Sequence, residues 1–138
     1  MRIMAIDYGD AHTGIAISDP TGLLAGFTTV INSRRQEVVV EQVTLLAKEH
    51  GAEELVLGHP VNMDGTLGPR SEKAKAMKAL LEKATALPVV LWDERRTTID
   101  AHNILFNSGK NAKQRKKVVD AVAASLILEG YLTFKKSH

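Results

Sequence analysis

The chain contains no cysteine and no long apolar run. Without cysteine there is no disulfide bond, no thiolate metal site and no thiol nucleophile, which is compatible with a reducing compartment. No apolar stretch approaches the ~18 residues that a membrane span requires. The N-terminal residues lead directly into a strand pattern, without the apolar segment of a signal peptide. We therefore expect a cytoplasmic protein that does not associate with membranes.

Neither sign of charge is in large excess, since 18 basic and 16 acidic residues give a net charge of +2. The net charge alone therefore says little about partners. The distribution is more informative, because basic residues crowd between Lys110 and Lys117 and again at Arg95 and Arg96, whereas acids are scattered over 37–82. Such runs are often solvated helix faces. Here they flank unusual acidic positions, which favours a polyanionic partner.

The periodicity of apolar residues predicts one α/β domain spanning residues 1–138. The predicted strands are Arg2–Tyr8, Thr13–Ser18, Leu24–Ile31, Leu55–Gly58 and Pro88–Trp92, and the predicted helices are approximately Arg35–His50, Arg70–Thr85, Thr97–Asn107 and Lys113–Leu132. Three hairpin-spaced strands followed by alternating helices and strands indicate a five-stranded mixed sheet flanked by helices. Its first three strands are expected to be antiparallel, and right-handed crossovers would make the remaining strands parallel.

Several acids occupy positions that the core does not require. Asp7 ends an apolar strand, and Asp120 lies within the valine- and alanine-rich segment Val118–Ala124 of the last helix. The fifth strand leads into Asp93 and Glu94. Adjacent strand residues point to opposite faces, so only one of these two can join a common cluster, and we favour Glu94.

Asp7, Glu94 and Asp120 can converge if the last helix lies across the strand ends. Each acid alone has a structural explanation, as a turn cap, a helix cap or an ion-pair partner of Arg95 or Arg96. Together they favour a metal site, because clustered carboxylates repel one another unless a divalent cation lies between them.

Oxygen ligands, with no cysteine and no clear histidine spacing, select Mg²⁺ or Mn²⁺ over zinc. A pair of such ions activates a water molecule and stabilises the leaving 3′ oxygen of a phosphodiester. The sequence therefore predicts a metal-dependent phosphodiester hydrolase that acts on nucleic acid. Basic residues beside the acids would hold the substrate strand: Arg95, Lys113, Arg115, Lys116 and Lys117.

Four motifs, in order along the whole chain, resemble those of the YqgF family. They are Asp7-Tyr8-Gly9 with Gly14–Asp19, Gly58-His59-Pro60 with Asn62–Gly65, Asp93-Glu94-Arg95 with Thr97-Thr98, and Asp120 with Ala123-Ala124. Members of this bacterial family are RNase H-fold proteins described as pre-16S rRNA nucleases or Holliday junction resolvases. The resemblance implies an RNase H-like fold and a catalytic set of Asp7, Glu94 and Asp120. It also implies a role in maturing the 5′ end of small-subunit ribosomal RNA during ribosome biogenesis.

Two histidines depart from the family pattern. His12 stands where members often have a basic residue, which weakens a phosphate-binding role because histidine is mostly neutral near neutral pH. His59 lies between Gly58 and Pro60, at the position where members of the family usually have leucine. We interpret His59 as a hydrogen-bonded structural histidine rather than a general acid or metal ligand.

Alternatives from other functional classes remain open. The chain could be a noncatalytic RNA-binding factor for small-subunit precursors, with the acids holding a structural magnesium ion. A Holliday junction resolvase acting on branched DNA would need a symmetric dimer, and the sequence does not distinguish a monomer from a homodimer. The opening Asp-x-Gly and Gly-x-Ala pattern also resembles an actin-like nucleotide-binding module. With 4% aromatic residues and only Tyr8 near the predicted cluster, base stacking cannot dominate recognition of a nucleic acid.

Overall fold

The structure is a computed structural model that describes residues 1–19, 25–59, 68–93 and 112–137. These ranges contain five strands and three helices. The strands are β1 (Ile3–Asp7), β2 (His12–Ser18), β3 (Ala25–Asn32), β4 (Glu54–His59) and β5 (Val89–Asp93), and the helices are α1 (Gln36–His50), α2 (Pro69–Thr85) and α3 (Ala112–Ser137). The helix predicted at approximately Thr97–Asn107 falls outside the described residues.

The five strands form one mixed sheet with the order β3-β2-β1-β4-β5. Strand β2 is antiparallel to both β1 and β3, whereas β4 is parallel to β1 and to β5. Helices α1 and α2 make the two crossovers between parallel strands. The predicted fold class is therefore confirmed, and β1 is the central strand of the sheet.

Helices cover both faces of this sheet. Along β1, Met4 and Ile6 join a buried cluster with residues of α1 and α2, whereas Ile3 and Ala5 join a second cluster with residues of α3. This division follows from the strand geometry, because successive side chains point to opposite faces. We call the two sides of the sheet the α1–α2 face and the α3 face.

Helix α1 buries the stripe that its sequence predicts. Val39, Val43 and Ala47 recur at helical spacing and are almost completely buried. The helix ends before Gly51, whose φ of 69° lies in the left-handed region and whose N–H bonds to carbonyls of the last turn. The helix therefore ends where its sequence places a glycine, the residue that most readily adopts this conformation.

Helix α3 packs on its face of the sheet through Ala124, Ile127 and Leu128, all fully buried. It extends to Ser137, so the predicted end at Leu132 was too early. The extra turn is held by contacts that no periodicity reveals, since Lys135 Nζ donates to Glu54 Oε2 over 3.0 Å. In the described ranges, no helix combines the length and the apolar character needed to cross a membrane.

Candidate active site

Asp7 ends the central strand on the α3 face. Its position follows from the alternation along β1, in which Ile3 and Ala5 contact the α3 cluster. The carboxylate-bearing residue is partly buried, and its register partner on β2 is Gly14. Gly14 therefore places no side chain beside Asp7 on this face.

The turn after β1 requires a glycine at position 9. A Cβ atom on Gly9 would lie 2.3 Å from the carbonyl oxygen of His12. This close approach brings the chain back as β2 and places His12 on the α3 face, beyond Gly14 in the same register.

His12 is oriented by a neighbour on the edge strand. Its Nδ1 lies 2.7 Å from Oδ1 of Asn32, the residue paired with it on β3. Since the amide oxygen is an acceptor, Nδ1 carries the proton and donates it. Sequence analysis missed Asn32, because only the register between β2 and β3 brings the two together.

The ends of β4 and β5 place two other candidates on the opposite face. His59 and Asp93 are register partners, and both follow the alternation of Leu57 and Leu91 towards the α1–α2 face. Asp93 therefore does not share a face with Asp7. This agrees with the preference for Glu94, which itself lies outside the described residues, so its role stays a prediction.

His59 bonds to the start of α2. Its Nε2 lies 2.6 Å from Oγ of Ser71, which is fully buried. The bond joins the end of β4 to the first turn of α2 and agrees with the interpretation of His59 as a hydrogen-bonded structural residue. Tyr8, the aromatic residue expected near the acids, packs against the core of the α1–α2 face.

The remaining predicted residues lie on or before α3. Asp120 belongs to this helix and precedes the buried Ala124 by about one turn. The predicted phosphate-binding residues Lys113, Arg115, Lys116 and Lys117 lie in its N-terminal part. Arg95 falls outside the described residues. Within the part of the chain that the structure describes, no three acidic or histidine residues are grouped to hold a metal.

A basic group that sequence analysis missed surrounds Asp10 in the turn after β1. Lys73 Nζ lies 3.4 Å from Oδ1 of Asp10, and Arg70 Nη2 lies 3.6 Å from Oδ2. The hydrogen bond and charge of Lys73, then the charges of Arg70 and Arg34, hold the pKa of Asp10 below its usual value. These side chains come from three separate segments, so no local pattern predicts them.

Comparison with solved structures defines the class of fold. RuvC of T. thermophilus in complex with a Holliday junction substrate superposes with a TM-score of 0.63 at 12% identity, covering 99% of this chain and 96% of RuvC. The fowlpox virus resolvase, solved with Holliday junction DNA, gives 0.57 at 11% identity, with 99% and 98% covered. The fold is therefore RNase H-like, as predicted. A ROK hexokinase from Thermus thermophilus gives 0.52 at 22% identity, but this chain covers only 38% of it.

Sequence comparison gives the family. The model of the RuvX family, described as Holliday junction resolvase, matches residues 1–134. A relative from Halothermothrix orenii is 44% identical over 98% of this chain and 96% of its own length. Another, from Carboxydothermus hydrogenoformans, is 39% identical over the full length of both chains. Both relatives carry the name "Putative pre-16S rRNA nuclease".

The chain belongs to the RuvX family. This match and the two relatives confirm the resemblance of its four motifs to the YqgF family. The predicted enzyme class is confirmed as well, since this is a family of nucleases, which hydrolyse phosphodiester bonds.

Proposed function

We propose that the chain is a divalent-metal-dependent nuclease that processes the 5′ end of pre-16S rRNA in the cytoplasm. The names of the two relatives support the substrate. The single observation that carries the mechanism is the position of Asp7, which ends the central strand on the face covered by α3. We further propose that residues 1–138 act as one nuclease domain.

The direction of α3 supports a common site for Asp7 and Asp120. Tyr131 donates a hydrogen bond to Glu54, and Glu54 pairs with Ile3 at the start of β1, so α3 runs back along the sheet towards the end of β1. About 16 Å of helix separate Tyr131 from Asp120. About 13 Å of strand separate Ile3 from Asp7. These similar lengths support a position for residue 120 at approximately the level of Asp7.

The donor chemistry of Asp7, Glu94 and Asp120 fits Mg²⁺ or Mn²⁺, because all three are carboxylates and hard cations prefer oxygen ligands. When bound, such ions supply an activated water molecule and charge stabilisation for the leaving 3′ oxygen. The contribution of the chain is to fix Asp7 on a rigid strand at the centre of the sheet.

Basic residues supply the contacts to the substrate strand. We assign this role to Arg95 and to the run on α3 that comprises Lys113, Arg115, Lys116 and Lys117. Contacts to phosphates position a nucleic acid without selecting its sequence. Selection of pre-16S rRNA therefore depends on the shape of the RNA or on small-subunit precursor particles that present it.

A second candidate is resolution of Holliday junctions. It is favoured by the description of the family and by the structural similarity to RuvC, which was solved with a junction. The same carboxylates would act on branched DNA, in a symmetric homodimer that presents two sites. An RNA-binding assembly factor without catalytic activity would retain binding but would not cleave either substrate.

A cleavage assay with three substrates tests the proposal. Single-stranded pre-16S leader RNA, duplex RNA and a four-way DNA junction are incubated with the protein and Mg²⁺, with and without excess EDTA. We expect cleavage of the leader RNA that EDTA abolishes and that Asp7→Asn lacks. Cleavage of the junction alone would establish the second candidate. Cleavage that persists in EDTA would contradict the metal mechanism, and binding without cleavage would indicate the assembly factor.

A further inference from the structure

Three cations meet around one carboxylate at the end of the sheet where β1 stops. Asp10, in the turn after β1, is approached by Lys73 at 3.4 Å and by Arg70 at 3.6 Å. Arg34, which follows β3, is close enough for its charge to act on the same carboxylate. We call these four residues the Asp10 patch. It belongs neither to the predicted acidic set nor to the basic run of α3.

The Asp10 patch carries more positive than negative charge. Two nearby acids do not balance it, since Glu37 pairs with Arg35 at 2.8 Å and Glu72 lies 3.7 Å from Lys75. The patch is also open to solvent, with the Arg70 and Lys73 side chains 72% and 61% exposed. Exposed ion pairs contribute little to stability. A contribution to the stability of the fold therefore does not explain why three cations lie around Asp10.

The patch lies close to the candidate active site. The chain from Asp7 to Asp10 can span at most about 11 Å, which is approximately three base steps of a nucleic-acid strand. Asp7 and the Asp10 patch lie towards different layers of the fold, because Asp7 is on the α3 face whereas Arg70 and Lys73 come from α2. A strand with one phosphate at Asp7 can therefore cross the end of the sheet and place another phosphate, up to about three steps along, at the patch.

We infer that Arg34, Arg70 and Lys73 bind the phosphate backbone of the substrate on the side of the sheet opposite to α3. Asp10 occupies the donors of Arg70 and Lys73 until the substrate arrives, and phosphate oxygens then compete with its carboxylate for them. The inference rests on the proposed function, because it takes the ligand to be a nucleic acid. It adds a second contact surface, so that the strand is held on both sides of the cleavage point.

The test measures binding separately from cleavage. Labelled polyuridine RNA and a labelled four-way DNA junction are titrated in EDTA at several KCl concentrations, with fluorescence anisotropy as the readout. The double variant Arg70→Gln/Lys73→Gln should reduce the slope of log affinity against log salt for RNA by about 1.4, since each single-strand phosphate contact contributes about 0.7. Lys78→Gln/Lys83→Gln, further along the same helix, makes the same charge change and should leave the slope unaltered.

A single substitution that removes a negative charge from the patch provides a second test. Asp10→Asn removes the competing carboxylate and should tighten binding of both probes and steepen the salt dependence. An unchanged slope in Arg70→Gln/Lys73→Gln, unchanged or weaker binding in Asp10→Asn, or a wild-type protein that binds neither probe would overturn the inference. Thermal unfolding of each variant confirms that these exposed substitutions leave the fold intact.

The two proposals fail in different ways. If Asp7→Asn cleaves normally while the patch variant binds poorly, the metal mechanism is wrong and the patch stands. If the patch variant binds normally while Asp7→Asn is inactive, the patch is wrong and the metal mechanism stands.

Discussion

At the scale of single residues, the polar side chains of this fold depend on partners distant in sequence. Glu54 is buried, and it accepts hydrogen bonds from the hydroxyl of Tyr131 and from Lys135 Nζ. The ammonium of Lys135 compensates the buried carboxylate and lies 5.5 Å from the centre of the Tyr131 ring. These contacts attach the end of α3 to the sheet and so fix the position of the whole helix.

Tyr131→Phe is expected to lower the free energy of unfolding by about 1 to 2 kcal/mol near neutral pH, because Glu54 loses a donor. Burial, with the hydrogen bond to Glu54 and its charge, raises the pKa of Tyr131 well above its usual range. The stability from the neutral phenol is therefore complete below about pH 10 and declines as the pH rises further. Urea unfolding over this range should show a shallower alkaline decline in the variant than in the wild type, and equal declines would contradict the assignment.

Gly9→Ala is expected to strain the turn after Asp7, because the new Cβ would meet the backbone carbonyl of His12 at 2.3 Å. We expect a loss of about 1 to 3 kcal/mol in the free energy of unfolding. Gly26→Ala is the matched control, since its Cβ would find only ordinary contacts of 3.5 Å or more. Thermal melting of the two variants side by side measures the difference. Equal melting temperatures would mean that the turn adapts without cost.

Part of the candidate site could be predicted from residue types alone. Asp7 was recognisable because an apolar strand rarely ends in an acid without a reason, and the alternation along β5 directs Asp93 towards the α1–α2 face. The bonds of His12 to Asn32 and of His59 to Ser71 could not be predicted. They depend on the register between strands and on where α2 begins, and neither leaves a periodic signal.

At the scale of elements, hydrophobic periodicity located every strand and helix of the described ranges to within about two residues, except for the end of α3. Helix α1 is typical, since its buried stripe and terminal glycine are both local features. The end of α3 was missed because Phe134 and Lys135 are held by residues of the sheet, Trp92 and Glu54. Long-range contacts of this kind extend a helix beyond the last residue of its apolar pattern.

Leu128→Ala tests the packing of α3 against the sheet. Leu128 is fully buried, so we expect a loss of about 2 to 5 kcal/mol in the free energy of unfolding. Leu45→Ala makes the same chemical change at a side chain that is 51% exposed, and its effect should stay within about 0.5 kcal/mol. Urea unfolding of the two variants and the wild type measures both changes in the free energy of unfolding. A small effect at Leu128 would show that α3 is not anchored as described, and the proposed position of residue 120 beside Asp7 would then lose its support.

At the scale of the whole molecule, the order of the strands explains how distant residues can act together. The central strand β1 carries Asp7 on the face covered by α3, the helix that contains Asp120, while the opposite face carries His59 and Asp93. The mixed sheet was predictable from the order of elements along the chain. Which layer each helix covers was not, because helices of similar amphipathic pattern fit either face.

The basic run of α3 provides a test of how the substrate is held. Replacing Lys113, Arg115, Lys116 and Lys117 with glutamine should weaken binding of RNAs of different sequence equally. If each of the four residues contacts one phosphate, the slope of log affinity against log salt concentration should fall by about 2.8. Anisotropy titrations with polyuridine and polyadenine RNA measure both effects. A slope equal to that of the wild type would remove this run from the interface.

The most direct measurement is the cleavage rate of Asp7→Asn under single-turnover conditions with saturating Mg²⁺, beside Asp93→Asn as a control of identical chemistry on the opposite face. Removal of a metal-binding carboxylate from the site should lower the rate by at least about a hundredfold, while Asp93→Asn should retain most of the wild-type rate. A wild-type rate in Asp7→Asn would contradict the account.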